Sequence, residues 1–172
     1  PIPSQWSSAL SSIIRPPGAA GSHESSGLTI LGMSAAGAVL ASSDVGPHGQ
    51  VVLVQPDGSA RVLYQLPASL AGQGALRVAT GQLDDQWAVF PVTIGGGQGA
   101  IGAIDAVNLS TGTLTVVRDA SQGTDLIVSA PQLLNGHVYW SEVGSTGQGS
   151  IYDYDLASGN RSSVNTGNVN GP

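Results

Sequence analysis

The chain has 172 residues, 41% of them hydrophobic. That suffices for one domain with a real core, since a chain of this size buries roughly 70% of its extended surface on folding. Only 9% of residues are charged, the net charge is −6, and the five cations are all Arg, so the chain lacks the clustered cations that nucleic acid or an anionic membrane would require. Cys is absent, which excludes disulfides and thiolate sites, and no stretch reaches the roughly 18 apolar residues of a membrane span.

Residues 1–27 differ from the rest. Ser4 is placed to cap a short helix through Ile14, with Trp6, Leu10, Ile13 and Ile14 at helical spacing. Arg15-Pro16-Pro17-Gly18 ends it, and a Ser/Gly/Pro-rich linker follows.

A first unit, 28–74, carries predicted strands near 28–33, 38–43, 50–55 and 60–66, with a turn signal at Pro56-Asp57-Gly58. Pro67 to Gly74 then crosses to a second unit, 75–125, with strands near 75–80, 87–94, 99–107 and 113–118. Asp84-Asp85 and Ser110-Thr111-Gly112 mark its first and last turns. The third unit, 126–165, is the clearest. Its segments His137–Val143 and Ser150–Leu156 are rich in β-branched and aromatic residues and are separated by Gly- and Asn-bearing turns. Residues 166–172 read as a flexible tail.

The three units echo one another. His137-Val138-Tyr139-Trp140 falls on Trp87-Ala88-Val89-Phe90 and, with a slip of one residue, on Ala38-Val39-Leu40-Ala41. The turns at 157–160, 110–113 and 56–59 also match. A period of about 50 residues with four strands in each is the signature of a propeller blade. The segment Ile151–Gly159, with a short strand pair before it and a strand after it, resembles blades of bacterial TolB-like and YVTN-type β-propellers, and the resemblance covers residues 28–165. It implies an all-β fold of about three four-stranded antiparallel blades. It also implies a rigid scaffold for protein contacts, not a particular chemistry.

Three blades do not close a ring, since propellers close with roughly four to eight. The chain is then a piece of a longer protein, or half of a six-bladed ring of two copies. Otherwise its two ends supply a degenerate fourth blade, or its blades stack into a fibre. An exposed blade edge with no Lys to guard it invites strand pairing with another chain.

Candidate site residues are few. Asp44 and Glu142 lie near the ends of equivalent strands. At one mouth of a ring they would make an acidic rim, and paired carboxylates do acid–base work at suitable separations; the simpler reading is two exposed strand ends. His23, His48 and His137 have no second ligand at metal spacing, which leaves His137 as a binding candidate. Aromatics recurring at the repeat period, Phe90 and Trp140 with Ala41 in the first unit, read as core between blades. A carbohydrate or peptide ligand would need an exposed aromatic such as Trp87. The glycine loop Gly95–Gly99 joins two strands and is followed by no Lys, so it lacks the features of a phosphate loop. Asp153 and Asp155 are too few for a calcium loop, and Asp155 is expected to cap its own turn.

The sequence therefore predicts a non-catalytic binding, scaffold or assembly module that needs no cofactor and no metal. Its partner would be a protein or another copy, met through blade edges, with no nucleic acid and no membrane insertion. An uncharged polar surface and a chain opening at Pro1 point to an exported bacterial protein, extracellular or on the cell surface. The alternatives are an accessory domain of a secreted hydrolase or lyase and a self-assembling fibre subunit.

Overall fold

The computed structural model describes residues 28–43, 49–65, 76–78, 80–94, 102–119 and 126–168. The expected helix and linker, the crossing Pro67–Gly74, the loop Gly95–Gly99, Asp44, His23 and His48 lie outside these residues.

The described residues form strands and turns, in three antiparallel sheets that follow chain order. The first sheet is β1 (Leu28–Met33), β2 (Val39–Ser43), β3 (Gln50–Val54) and β4 (Ala60–Gln65), each beside the next. In the second, two short strands, β5 (Leu76–Arg77) and β6 (Gln82–Leu83), both pair with β7 (Trp87–Ile94), followed by β8 (Ala103–Asn108) and β9 (Leu114–Arg118). The third repeats that plan with β10 (Ile127–Val128), β11 (Gln132–Leu134), β12 (His137–Val143), β13 (Gln148–Asp155) and β14 (Arg161–Asn168). The sequence led us to expect one strand near 75–80 where the structure has two pieces, β5 and β6. It also placed in the tail residues that β14 uses to pair with β13, as Gly167 does with Gly149 and Asn168 with Gln148.

Register confirms the echo. Ala41, Phe90 and Trp140 stand opposite Val52, Asp105 and Tyr152 in their sheets. The turns repeat too: Gln55, Asn108 and Asp155 each donate a backbone N–H to Ser59, Thr113 and Asn160. Each turn contains a glycine in the left-handed region, Gly58, Gly112 and Gly159, at φ 86, 74 and 74°. Side chains hold these turns as well, since Asn108 accepts from the Ser110 and Thr111 amides and Asp155 from the Ala157 and Ser158 amides. Bonds from Ser158 hold the Asp155 carboxyl below the usual carboxylate range.

Alternation along each strand creates two faces, which we call A and B. On β7, Ala88, Phe90 and Val92 point from face A into a core shared with Leu40 and Val51 of the first sheet. Val89 points from face B, with Ile104 and Ala106, into a core shared with Val138, Trp140 and Leu156 of the third. Each sheet thus lays its A face on the B face of the sheet before it. The middle sheet is covered on both sides, so β7 and β8 read as nearly unbroken apolar runs.

The first strands of the sheets converge. Gly81 donates its N–H to Leu31 O at 3.1 Å. Gln82 Nε2 donates to Gln132 Oε1 at 3.2 Å, and the Leu133 amide donates to Gln82 Oε1 at 3.4 Å. This marks β1, β6 and β11 as the inner edge and β4, β9 and β14 as the outer edge. The approach needs glycine, because a Cβ on Gly32 would stand 2.6 Å from Gly81 O.

Gly32→Ala is expected to cost about 1–3 kcal/mol by urea unfolding, since backbone must shift to admit the methyl. Gly112→Ala meets nothing within 4 Å and should lose about 1–2 kcal/mol from its positive φ alone. Gly112→Asn should lose less than Gly112→Ala.

Candidate binding site

The most elaborate polar cluster lies where the second sheet meets the third. Arg118, at the end of β9, is 1% exposed, and Glu142, near the end of β12, is 6% exposed. Arg118 Nε donates to Glu142 Oε1 at 2.8 Å. Trp140 lies two residues before Glu142 on the same face, and its Nε1 donates to the same oxygen at 2.9 Å. The β12–β13–β14 register brings Tyr152 beside Trp140 and Arg161 beside Tyr154. The Trp140 and Tyr152 rings therefore stack at 5.1 Å, and the Arg161 guanidinium lies 4.3 Å from the Tyr152 centroid. Arg161 Nη2 also stands 3.8 Å from Glu142 Oε1.

Arg118 is held on a second side, where its Nη1 donates to the carbonyls of Gly102 and Asp119. Among the described residues its Nη2 is buried without a hydrogen-bond partner, a state that costs about 1–3 kcal/mol. Beside the cluster an open cleft of about 280 Å³ is lined by Leu126, Glu142, Gln148, Ser150, Tyr152 and Asn165. A similar cleft of about 270 Å³ lies between the first and second sheets, at the other end of the strands, beside Ser34, Gln55, Arg61 and Asp84. Arg61 reaches across it to the Leu109 carbonyl.

Among the described residues, the sequence-predicted Glu142, His137 and Trp87 do not converge. Glu142 is neither a rim acid nor an exposed strand end: it is buried and ion-paired, because its strand position faces the core between sheets. Trp87 and His137 occupy equivalent places in successive sheets. Trp87 is half-buried and packs against the core between the second and third sheets, which makes it an anchor. His137 lies on the B face, with Nδ1 2.8 Å from Asp153 Oδ1 and its ring stacked on Tyr139 at 6.0 Å. It is five residues from Glu142, about 17 Å along an extended strand. Asp155 caps its turn, as expected.

Sequence reasoning missed two buried charges. Arg118 ends the run Leu114-Thr115-Val116-Val117, and Asp105 sits inside Ala103-Ile104-Asp105-Ala106-Val107. A lone charge within an apolar strand was the available signal. Asp105 is 5% exposed, and burial, then the charge of Asp119, raises its pKa from 3.8 to about 6. Burial and the Asp105 charge also push the nearby Tyr64 phenol up.

No family model and no curated protein matches the chain. Among solved structures it is similar to a chain of the crystal structure of the mitotic checkpoint complex, with TM-score 0.51 and 14% identity, over 92% of this chain and 47% of that one. It is also similar to a substitution variant of an ACO/RPE65 chimera, with TM-score 0.44 and 12% identity, over 74% of this chain and 34% of that one. The chain therefore spans about half the length of the first structure. The checkpoint-complex match, together with the three sheets, shows a β-propeller-like fold whose sheets do not close on themselves among the described residues.

Arg118→Met should destabilise the chain by about 3–5 kcal/mol, because it strips a buried carboxylate of its ion pair. Arg118→Met combined with Glu142→Leu should recover much of that loss in the same unfolding assay. For Asp105, the folded chain holds a proton that the unfolded chain has lost between pH 4 and about 6, so stability falls as pH rises through this window. Asp105→Asn should abolish that fall and gain about 2–3 kcal/mol at pH 7.

Proposed function

We propose that this chain is a non-catalytic protein-binding or assembly module, with the blades as its frame and the third sheet as its contact surface. The observation that carries this reading is the B face of that sheet. Ile127, Leu134, Ile151 and Val164 share it, at 75, 60, 49 and 69% exposure. The equivalent face of the second sheet, with Val89, Ile104 and Ala106 fully buried, is covered by the next blade. Ile151 and Val164 stand directly opposite each other on it, and exposed apolar surface on a sheet face supports an interaction role.

The polar groups support a structural role. Glu142 and Arg118 are committed to each other, and Asp155, Asn108 and Asp84 to turns. The text of Ile151–Gly159 supports placing the chain near TolB-like or YVTN-type propellers, and its low charge supports an exported, cell-surface setting.

The test is a panel of peptides, glycans and chromogenic esters incubated with the purified chain. The expected result is no turnover of any of them. Turnover that vanishes in Glu142→Gln, while the fold is retained, would overturn the non-catalytic reading.

A further inference from the structure

We propose that protonation of one buried carboxyl controls how the first blade seats on the second: the two pack closely while Asp105 is neutral and part locally, at their outer side, when it is charged. The inference goes beyond the binding reading and does not rest on it.

Alternation on β8 sets Asp105 between Ala103 and Val107 on the A face, the face that lies on the first sheet. Asp105 stands opposite Phe90 of β7, and Tyr64 of β4 meets that ring edge-on at 5.8 Å. Val51 of β3, opposite Tyr64, is fully buried in the same core. A carboxyl that is 5% exposed thus sits where the two sheets meet. The groups facing it disfavour its charge. Burial, then the charge of Asp119 just past β9, lifts its pKa to about 6. Burial, then the Asp105 charge, pushes the Tyr64 phenol up. From β3 and β7 come Val51 and Phe90, which are apolar. Arg61 of β4 reaches the Leu109 carbonyl past the far end of β8, and Arg118 of β9 is paired with Glu142.

A charged carboxylate at this position needs water. Val116, opposite Asp105 on the outer strand β9, is 54% exposed, so solvent lies one strand away. The inner side is held independently of Asp105. There the Gly81 N–H donates to Leu31 O, and Ser42 Oγ donates to Val78 O at 3.2 Å. The opening is therefore a wedge hinged at the inner edge, a local event below the free energy of global unfolding. The closed form holds the proton and the opened form releases it, so rising pH favours opening. With Asp105 back at 3.8 in the opened form, the opened share rises about tenfold from pH 5 to pH 7.

The chain has no Cys, so introduced thiols report opening without background. Val51→Cys reports on the interface of the first two sheets. Val138→Cys, fully buried between the second and third, is the control. Each is labelled with a small thiol reagent in native buffer at pH 5 and pH 7. The ratio of the two rates cancels the pH dependence of the thiolate and of any global unfolding. That ratio should rise about tenfold with Asp105 present and stay flat in Asp105→Asn. Val107→Cys, 1% exposed in the same interface, is a second reporter, and far-UV circular dichroism checks that each variant keeps the sheet signal. A ratio that stays flat with Asp105 present overturns the proposal, because the interface then opens only with the whole chain. A rise that persists in Asp105→Asn overturns it as well, because another group then drives it. Neither result touches the non-catalytic reading, which falls only on turnover.

Discussion

The structure depends on one constraint: a β-sheet buried on both faces must supply apolar side chains at nearly every position along its central strands, and the buried Asp105 of β8 is the exception. The middle sheet meets it through Ala88, Val89, Phe90 and Val92 on β7 and Ile104, Ala106 and Val107 on β8, all 2% exposed or less. Adjacent residues serve different cores, so removing any one of them opens a gap toward only one neighbour. The third sheet relaxes the same rule, whereas β2 and β3 of the first stay buried on both faces. On β12 buried and half-buried residues alternate strictly, because only one side of that strand has a sheet against it.

That constraint explains what the text of the chain could and could not disclose. The strands and turns were legible where chemistry is local. Asn135-Gly136 sits at φ 52 and 76°, the pair of left-handed residues a two-residue hairpin needs. The glycine-bearing turns near 58, 112 and 159 were read for the same reason. The echo of Phe90 and Trp140 identified inter-blade core, because large aromatics at matching register have nowhere else to go. The break between β5 and β6 was not legible. It follows from the neighbouring sheet, where Gly81 passes so close that a Cβ there would stand 2.6 Å from Leu40 Cδ2. No local signal in the stretch around Gly81 records the presence of Leu40.

The candidate site was legible only in part. Glu142 could be picked out as an acid in an otherwise uncharged strand, but its role could not. Whether a strand-end carboxylate meets water or a guanidinium depends on what the preceding blade brings to it. Here that blade brings Arg118, 24 residues earlier in the chain. A buried ion pair of this kind is weak evidence for net stability but a strict condition on register. Slipping β12 by one residue would expose Glu142 and bury its neighbour instead. The pair, with Trp140 donating to the same oxygen, is thus a device that fixes how the third blade sits on the second.

Blade stacking, the central claim, is tested most directly by amide hydrogen exchange resolved strand by strand. If each A face lies on the preceding B face, the amides of β7 and β8 exchange more slowly than those of β12 and β13, because the second sheet is covered on both sides and the third on one. Those of β14, on the outer edge of a sheet covered on one side, exchange fastest. Equal protection in the second and third sheets, or a β14 as slow as β8, would contradict the stacking and the assignment of faces drawn from it.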